Sequence, residues 1–213
     1  GTPTGKTELP DGQVVFHAEH GLVWVDLEGQ PHVLAFPEGD VARASLSPGG
    51  RVFALNSTRL MRFDTQTRTI DFELSRPGEM IPGALHVVSD EPLVAYNFNY
   101  QAELWKLEAG TWTAVHQVGP EFLEPRPLGR TVIYGLGGDD FLIGAAFMSI
   151  VLVHEGGRLS NAFTEGQARG FTIFDRTRDG RLFTVEYDGR MYFREDGLWL
   201  LGPQLEPTSF SFD

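Results

Sequence analysis

Two imidazoles and a carboxylate crowd into His17-Ala18-Glu19-His20. Zinc sites are made from such donors when three or four of them converge. A strand that turns after Ala18 aims His17 and His20 apart, and His32, His86, His116 and His154 fall in other segments. Histidines that face solvent or make a single hydrogen bond fit this spacing better, so no metal is expected. The opening Gly1-Thr2-Pro3-Thr4-Gly5-Lys6-Thr7 is one residue short of a phosphate-cradling loop. That chemistry needs a strand before it and a helix N-terminus after it. Glu8-Leu9-Pro10-Asp11-Gly12, which follows, reads as a turn rather than a helix start. No cofactor is expected.

Carboxylates offer a third chemistry. Asp139 or Asp140 with Glu186 would suit glycoside hydrolysis if two of them faced each other at about 5–9.5 Å. The spacing alone does not bring them together, so no catalytic residue is assigned and the reading leans away from an enzyme. The segment Tyr96-Asn97-Phe98-Asn99-Tyr100 alternates aromatics with amides. Phenols and amides both donate and accept hydrogen bonds, which suits sugars and peptide backbone. The alternative is that Tyr96 and Phe98 pack inward while the asparagines serve a turn.

The elements that must position these groups recur. Five short apolar strands follow tight turns: GQVVFH from Gly12, GRVFAL from Gly50, EPLVAY from Glu91, GRTVIY from Gly129 and GRLFTV from Gly180. A second strand follows each: GLVWVD, TRLMRFD, QAELWK, SIVLVH and GRMYFR. Polar turns, a weaker strand and a Gly/Pro-rich exit complete the unit. Alternating or continuous apolar runs of four to six residues are strand periodicity. A return about every 40 residues is the period of four-stranded propeller blades. The predicted fold is therefore all-β, a five-bladed β-propeller of four-stranded antiparallel blades forming one domain, residues 1–213. Strands ahead of the markers are predicted at Val41–Ser47, Gly83–Ser89, Phe122–Leu128 and Gly170–Arg176. The first blade lacks one, since Gly1–Asp11 is polar. The tail Ser209-Phe210-Ser211-Phe212 is expected to supply it beside the strand near Val14, closing the ring. The rival architecture is a pair of β-sandwich domains joined near Gly119–Arg130.

The Ser45-Leu46-Ser47-Pro48-Gly49-Gly50-Arg51-Val52-Phe53 segment resembles the S-P-D-G-R turn of WD40/YVTN-like propeller repeats, with Gly49 where that class prefers Asp. Asp26 and Asp64 resemble the Asp that ends the third strand there. Lys106, His154 and Arg194 replace it in the later repeats, and no Trp-Asp pair occurs. This resemblance implies the fold and no particular activity.

Blade four departs from the pattern. Its residues Gly135–Met148 read as a long insertion between equivalent strands, apolar after Asp139-Asp140, and long ordered loops are usually functional. Strand alternation puts the second-to-third connections at one end of each blade, the first-to-second at the other. The second-to-third end collects Asn56, Tyr96, Asn97, Asn99, Tyr100, Tyr187 and the insertion with Asp139, Asp140, Phe141 and Phe147. Those ten residues are the predicted binding set. The opposite end, with Pro48-Gly49-Gly50 and Asp179-Gly180, reads as structural. The expected function is a non-enzymatic scaffold recognising a protein or peptide partner; the alternative is a carbohydrate or small-ligand binder. Trp24, Trp105, Trp112 and Trp199 are expected to pack between blades.

Composition bounds the rest. The 213 residues carry a net charge of −12. That balance disfavours nucleic acid and anionic membranes, which require clustered cations. Cysteine is absent, which excludes disulfides and thiolate metal sites. The most apolar stretch, Phe141–Val153, is shorter than the roughly 20 residues a bilayer requires, so no membrane insertion is expected. Compartment is not fixed, with export the slightly favoured reading.

Overall fold

The computed structural model describes residues 5–8, 14–18, 21–25, 29–35, 41–64, 67, 69–99, 101–117, 131–145, 151–162, 171–186 and 189–204. These residues form strands and turns, with no helix among them. Twenty strands make five four-stranded antiparallel sheets, each in simple chain order. The first sheet holds β1 (Gly5–Glu8), β2 (Val14–Ala18), β3 (Gly21–Val25) and β4 (Pro31–Ala35). The second holds β5 (Val41–Leu46), β6 (Val52–Asn56), β7 (Arg59–Asp64) and β8 (Thr69–Ser75). The third holds β9 (Ala84–Asp90), β10 (Leu93–Phe98), β11 (Glu103–Glu108) and β12 (Thr111–Gln117). The fourth holds β13 (Thr131–Gly137), β14 (Asp140–Ala145), β15 (Val151–Glu155) and β16 (Arg158–Asn161). The fifth holds β17 (Phe171–Arg176), β18 (Leu182–Glu186), β19 (Arg190–Glu195) and β20 (Leu198–Gln204). No sheet contains the out-of-order strands of a Greek-key sandwich.

The sheets belong to two compact units, Gly1–Val118 and Gly119–Asp213. In the first unit, β5 packs against both β1 and β9, so the first strands of successive sheets lie side by side. Period-two alternation then sends the two faces of the middle sheet to different neighbours. Val52, Ala54, Met61 and Phe63 pack with Val15, Leu22 and Trp24 of the first sheet. Phe53, Leu55 and Leu60 pack with Leu85, Val87, Ala95, Trp105 and Trp112 of the third. Every residue of β6 is consequently buried, which explains its unbroken apolar run. In contrast, β8 alternates exposed with half-buried residues, as an outer strand should. In the second unit, Leu142, Val151 and Val153 pack against Leu182, Tyr192 and Trp199. All four tryptophans therefore lie buried in packing clusters between sheets, as expected from their strand positions.

Two expectations are corrected. The Gly135–Met148 segment is not a long loop over its described residues, 135–145. Residues 131–145 form a β-hairpin in which Thr131 pairs with Ala145, Ile133 with Ile143 and Gly135 with Phe141. The apolar residues after Asp140 are those of an interior strand, β14, flanked by β13 and β15. The GRTVIY marker is thus the first strand of its sheet, whereas its counterparts are second strands. Spacing concealed this, because a strand covered on both faces carries the same apolar run as a plugging loop. Phe122–Leu128, expected as the first strand of that sheet, lies outside the described residues.

The second correction concerns the first sheet. The place beside Val14–Ala18 expected for the tail is taken by β1, with Gly5 opposite His17 and Glu8 opposite Val14; β3 holds the other side. An edge strand needs only its backbone ladder, so Gly5-Lys6-Thr7-Glu8 showed no apolar signature. Ser209–Phe212 lies outside the described residues.

Candidate functional site

The second-to-third hairpins of the second and third sheets are built from their own asparagines. Asn56, 1% exposed, accepts at Oδ1 from the Thr58 and Arg59 amides, both at 2.8 Å. Asn99 Oδ1 accepts from the Gln101 and Glu103 amides at 2.9 and 3.0 Å. Its Nδ2 donates to Glu103 Oε2 at 2.8 Å. Asn97 faces the incoming chain: Oδ1 accepts from the Gly83 amide at 2.7 Å and Nδ2 donates to the Ile81 carbonyl at 2.9 Å. Gly83 must be glycine, because a Cβ there would lie 2.6 Å from the Asn99 Cα. These amides satisfy buried backbone groups, which is costly to leave undone. Tyr96 is buried beneath Lys106, whose Nζ sits 5.9 Å from the ring centroid.

In the fourth sheet, the Gly138-Asp139 turn lies at the first-to-second end rather than the second-to-third end. Asp139 is exposed, and its carbonyl meets His154 Nδ1 at 2.8 Å. Asp140 Oδ1 accepts from the Gly156 amide at 3.1 Å. Phe141 is fully buried and stacks on His154 at 4.5 Å. Among the predicted set, then, Asn56, Tyr96, Asn97 and Asn99 belong to the first unit, and Asp139, Asp140 and Phe141 to the second. Tyr100, Phe147 and Tyr187 lie outside the described residues. So do His20, Glu19 and the His17 side chain.

A cleft of about 330 Å³ opens at the first-to-second and third-to-fourth turns of the fourth and fifth sheets. Leu136 and Leu182 give it apolar walls; Arg176, Arg181 and Arg194 give it positive charge, and Glu155 and Asp196 give it negative charge. The turn that positions two of these arginines repeats the Ser47–Arg51 turn. There the Arg51 amide donates to Ser47 Oγ at 3.0 Å, and here the Arg181 amide donates to Thr177 Oγ1 at 3.0 Å. Gly50 and Gly180, at φ of 77° and 86°, close the two turns in the left-handed region. Arg176 Nη1 donates to the Gly180 carbonyl at 2.9 Å, and its Cζ lies 5.9 Å from the Tyr134 ring. Arg181 lies over Phe193 at 4.9 Å and donates from Nε to Asp179 Oδ2 at 3.0 Å. The Thr177 hydroxyl, and after it the Arg181 guanidinium, hold the Asp179 carboxyl below the ordinary carboxylate range. Arg194 is the least exposed of the three, and its Nη2 donates to Glu155 Oε1 of the neighbouring sheet.

Sequence reading missed these arginines and assigned this end a structural role. One signal was visible: Arg194 stands where the first two repeats carry Asp26 and Asp64. What it lacked was the opposing Glu155, which only the packing of two sheets supplies.

No protein-family model matches the chain, and no curated protein does. Solved structures do. A virginiamycin B lyase from Staphylococcus aureus aligns with a TM-score of 0.69 at 15% identity, over 94% of this chain and 68% of its own. An auxiliary nutrient-binding protein from Bacteroides ovatus gives 0.61 at 13%, over 92% and 56%. The C-terminal WD40 domain of Sif2 gives 0.61 at 13%, over 93% and 56%. The chain therefore has an all-β, propeller-type fold.

Proposed function

We propose that the chain is a non-catalytic binding propeller acting as a single domain, residues 1–213. It recognises a protein or peptide partner at the turn end of its fourth and fifth sheets. The observation that carries this is the cleft: three guanidinium groups around about 330 Å³ with two leucines in its walls. Small-group pockets begin at about 300 Å³, so the space suits a side chain or a chain terminus rather than a large substrate. Arginine is enriched at binding hot spots and matches planar carboxylates with its fork. Tyr134 and Phe193 stack under two of these guanidinium groups and limit the freedom lost on binding. Asp139 and Asp140 would flank the contact, with Phe141 supporting their hairpin. Tyr100, Phe147 and Tyr187 stay candidates on chemistry alone. The net charge of −12 argues against nucleic acid as the partner.

A peptide-display selection tests the reading. Acidic sequences are expected to be enriched, and their affinity to fall at least about tenfold in Arg181→Glu, since one reversed charge at an interface exceeds that factor. Selected peptides that bind the variant equally well, or no enrichment, would overturn it. The nutrient-binding neighbour supports a second reading, a carbohydrate or small-ligand site in the same cleft, which a glycan array would reveal.

A further inference from the structure

We infer that the recognition point within this cleft is the Nε–Nη2 edge of Arg194, that it receives a carboxylate of the bound molecule, and that Glu155 is a built-in competitor for it. The inference rests on the cleft reading and adds the ligand chemistry. Arginine binds carboxylates best when Nε and Nη2 each meet one oxygen. The molecule shows that arrangement elsewhere: Arg62 Nε and Nη2 reach Asp71 Oδ1 and Oδ2 at 2.8 and 2.9 Å.

Arg194 does not achieve it. Its Nη2 is held by Glu155 Oε1, while its Nε is buried without a hydrogen-bond partner. A buried, unmet N–H is costly, and at a charged group more so. The two partners also differ in exposure. The Arg194 side chain is 13% exposed; that of Glu155 is 49% exposed. Glu155 ends β15 and is followed by Gly156 and Gly157, both at positive φ, in a two-residue turn. Its carboxylate can therefore swing into water, where it loses little. An incoming carboxylate from the cleft would take both nitrogens and satisfy the Nε that Glu155 leaves unmet. Arg181, half exposed at the same cleft, adds attraction without competing for the edge.

The test titrates the full chain with succinate and, separately, with inorganic phosphate, following heat and the Arg194 Nε–H resonance. Succinate is expected to shift that resonance. Glu155→Gln is expected to tighten succinate about tenfold, the value of one charge-assisted contact released. Arg194→Lys keeps the charge but lacks the fork, and is expected to abolish the response. Unchanged succinate affinity in Glu155→Gln would overturn the inference, as would phosphate outcompeting succinate there. If Arg194→Lys does not fold, the Glu155→Gln titration decides alone. Peptides selected as above that bind through Arg181 yet ignore Glu155→Gln would sink this inference and leave the binding reading intact. A full succinate response with no peptide selected would do the reverse.

Discussion

Single residues carry more of this fold than their surface chemistry suggests. Asn97 ties the Gly83 amide and the Ile81 carbonyl, both on the chain entering the third sheet. Asn97→Ala leaves both groups unmet and is expected to cost about 2–4 kcal/mol, read as a lower denaturant midpoint with unchanged slope. Gly49 explains the departure from the S-P-D-G-R pattern. A Cβ at that position would fall on the Asp90 carboxylate from the third sheet. Gly49→Asp would set two carboxylates in one place, and is expected to destabilise most at low salt and less at high salt. Asp179 gives a pH signature. Its pKa is lowered in the folded state, so its contribution is present above the ordinary carboxylate range. That contribution fades as pH falls through the lowered value. The melting-temperature difference between wild type and Asp179→Asn should therefore be largest at neutral pH and vanish in strong acid.

At the scale of elements, the hairpin of β13 and β14 decides how the fourth sheet is understood. Phe141 and Leu142 are wholly buried and Ile143 nearly so. Replacing residues 139–147 by a short Gly-Ser turn removes those three side chains, a loss on the order of 6 kcal/mol. That approaches the whole stability of a typical domain. The variant is expected to lose the strand signal of this unit by circular dichroism, where trimming a loop would leave it unchanged. The strands were largely legible in the sequence, because alternation and turn residues are local. Val41–Leu46, Val52–Asn56 and Phe171–Arg176 lie where periodicity put them. Two things were not legible. A polar edge strand such as Gly5–Glu8 pairs through its backbone, which hydropathy does not report. An interior strand such as Asp140–Ala145 lacks the alternation that separates strand from loop. The cleft was hidden for a further reason: Glu155 and Arg194 are 39 residues apart, and no local pattern pairs them.

At the scale of the molecule, the single-domain proposal has a direct measurement. Trp24, Trp105 and Trp112 report on the first unit and Trp199 on the second. The proposal expects the fluorescence transition of Trp199→Phe to coincide with that of the wild type and with one calorimetric peak. Separate transitions would give each unit its own stability. The covering of β6 on both faces has a consequence for how such a chain can be shortened. Deleting the first sheet would strip Val52, Ala54, Met61 and Phe63 of their partners and turn interior into wet, sticky exterior. A truncation at that boundary needs new polar side chains on one side of the surviving sheet before it can stay monomeric in solution.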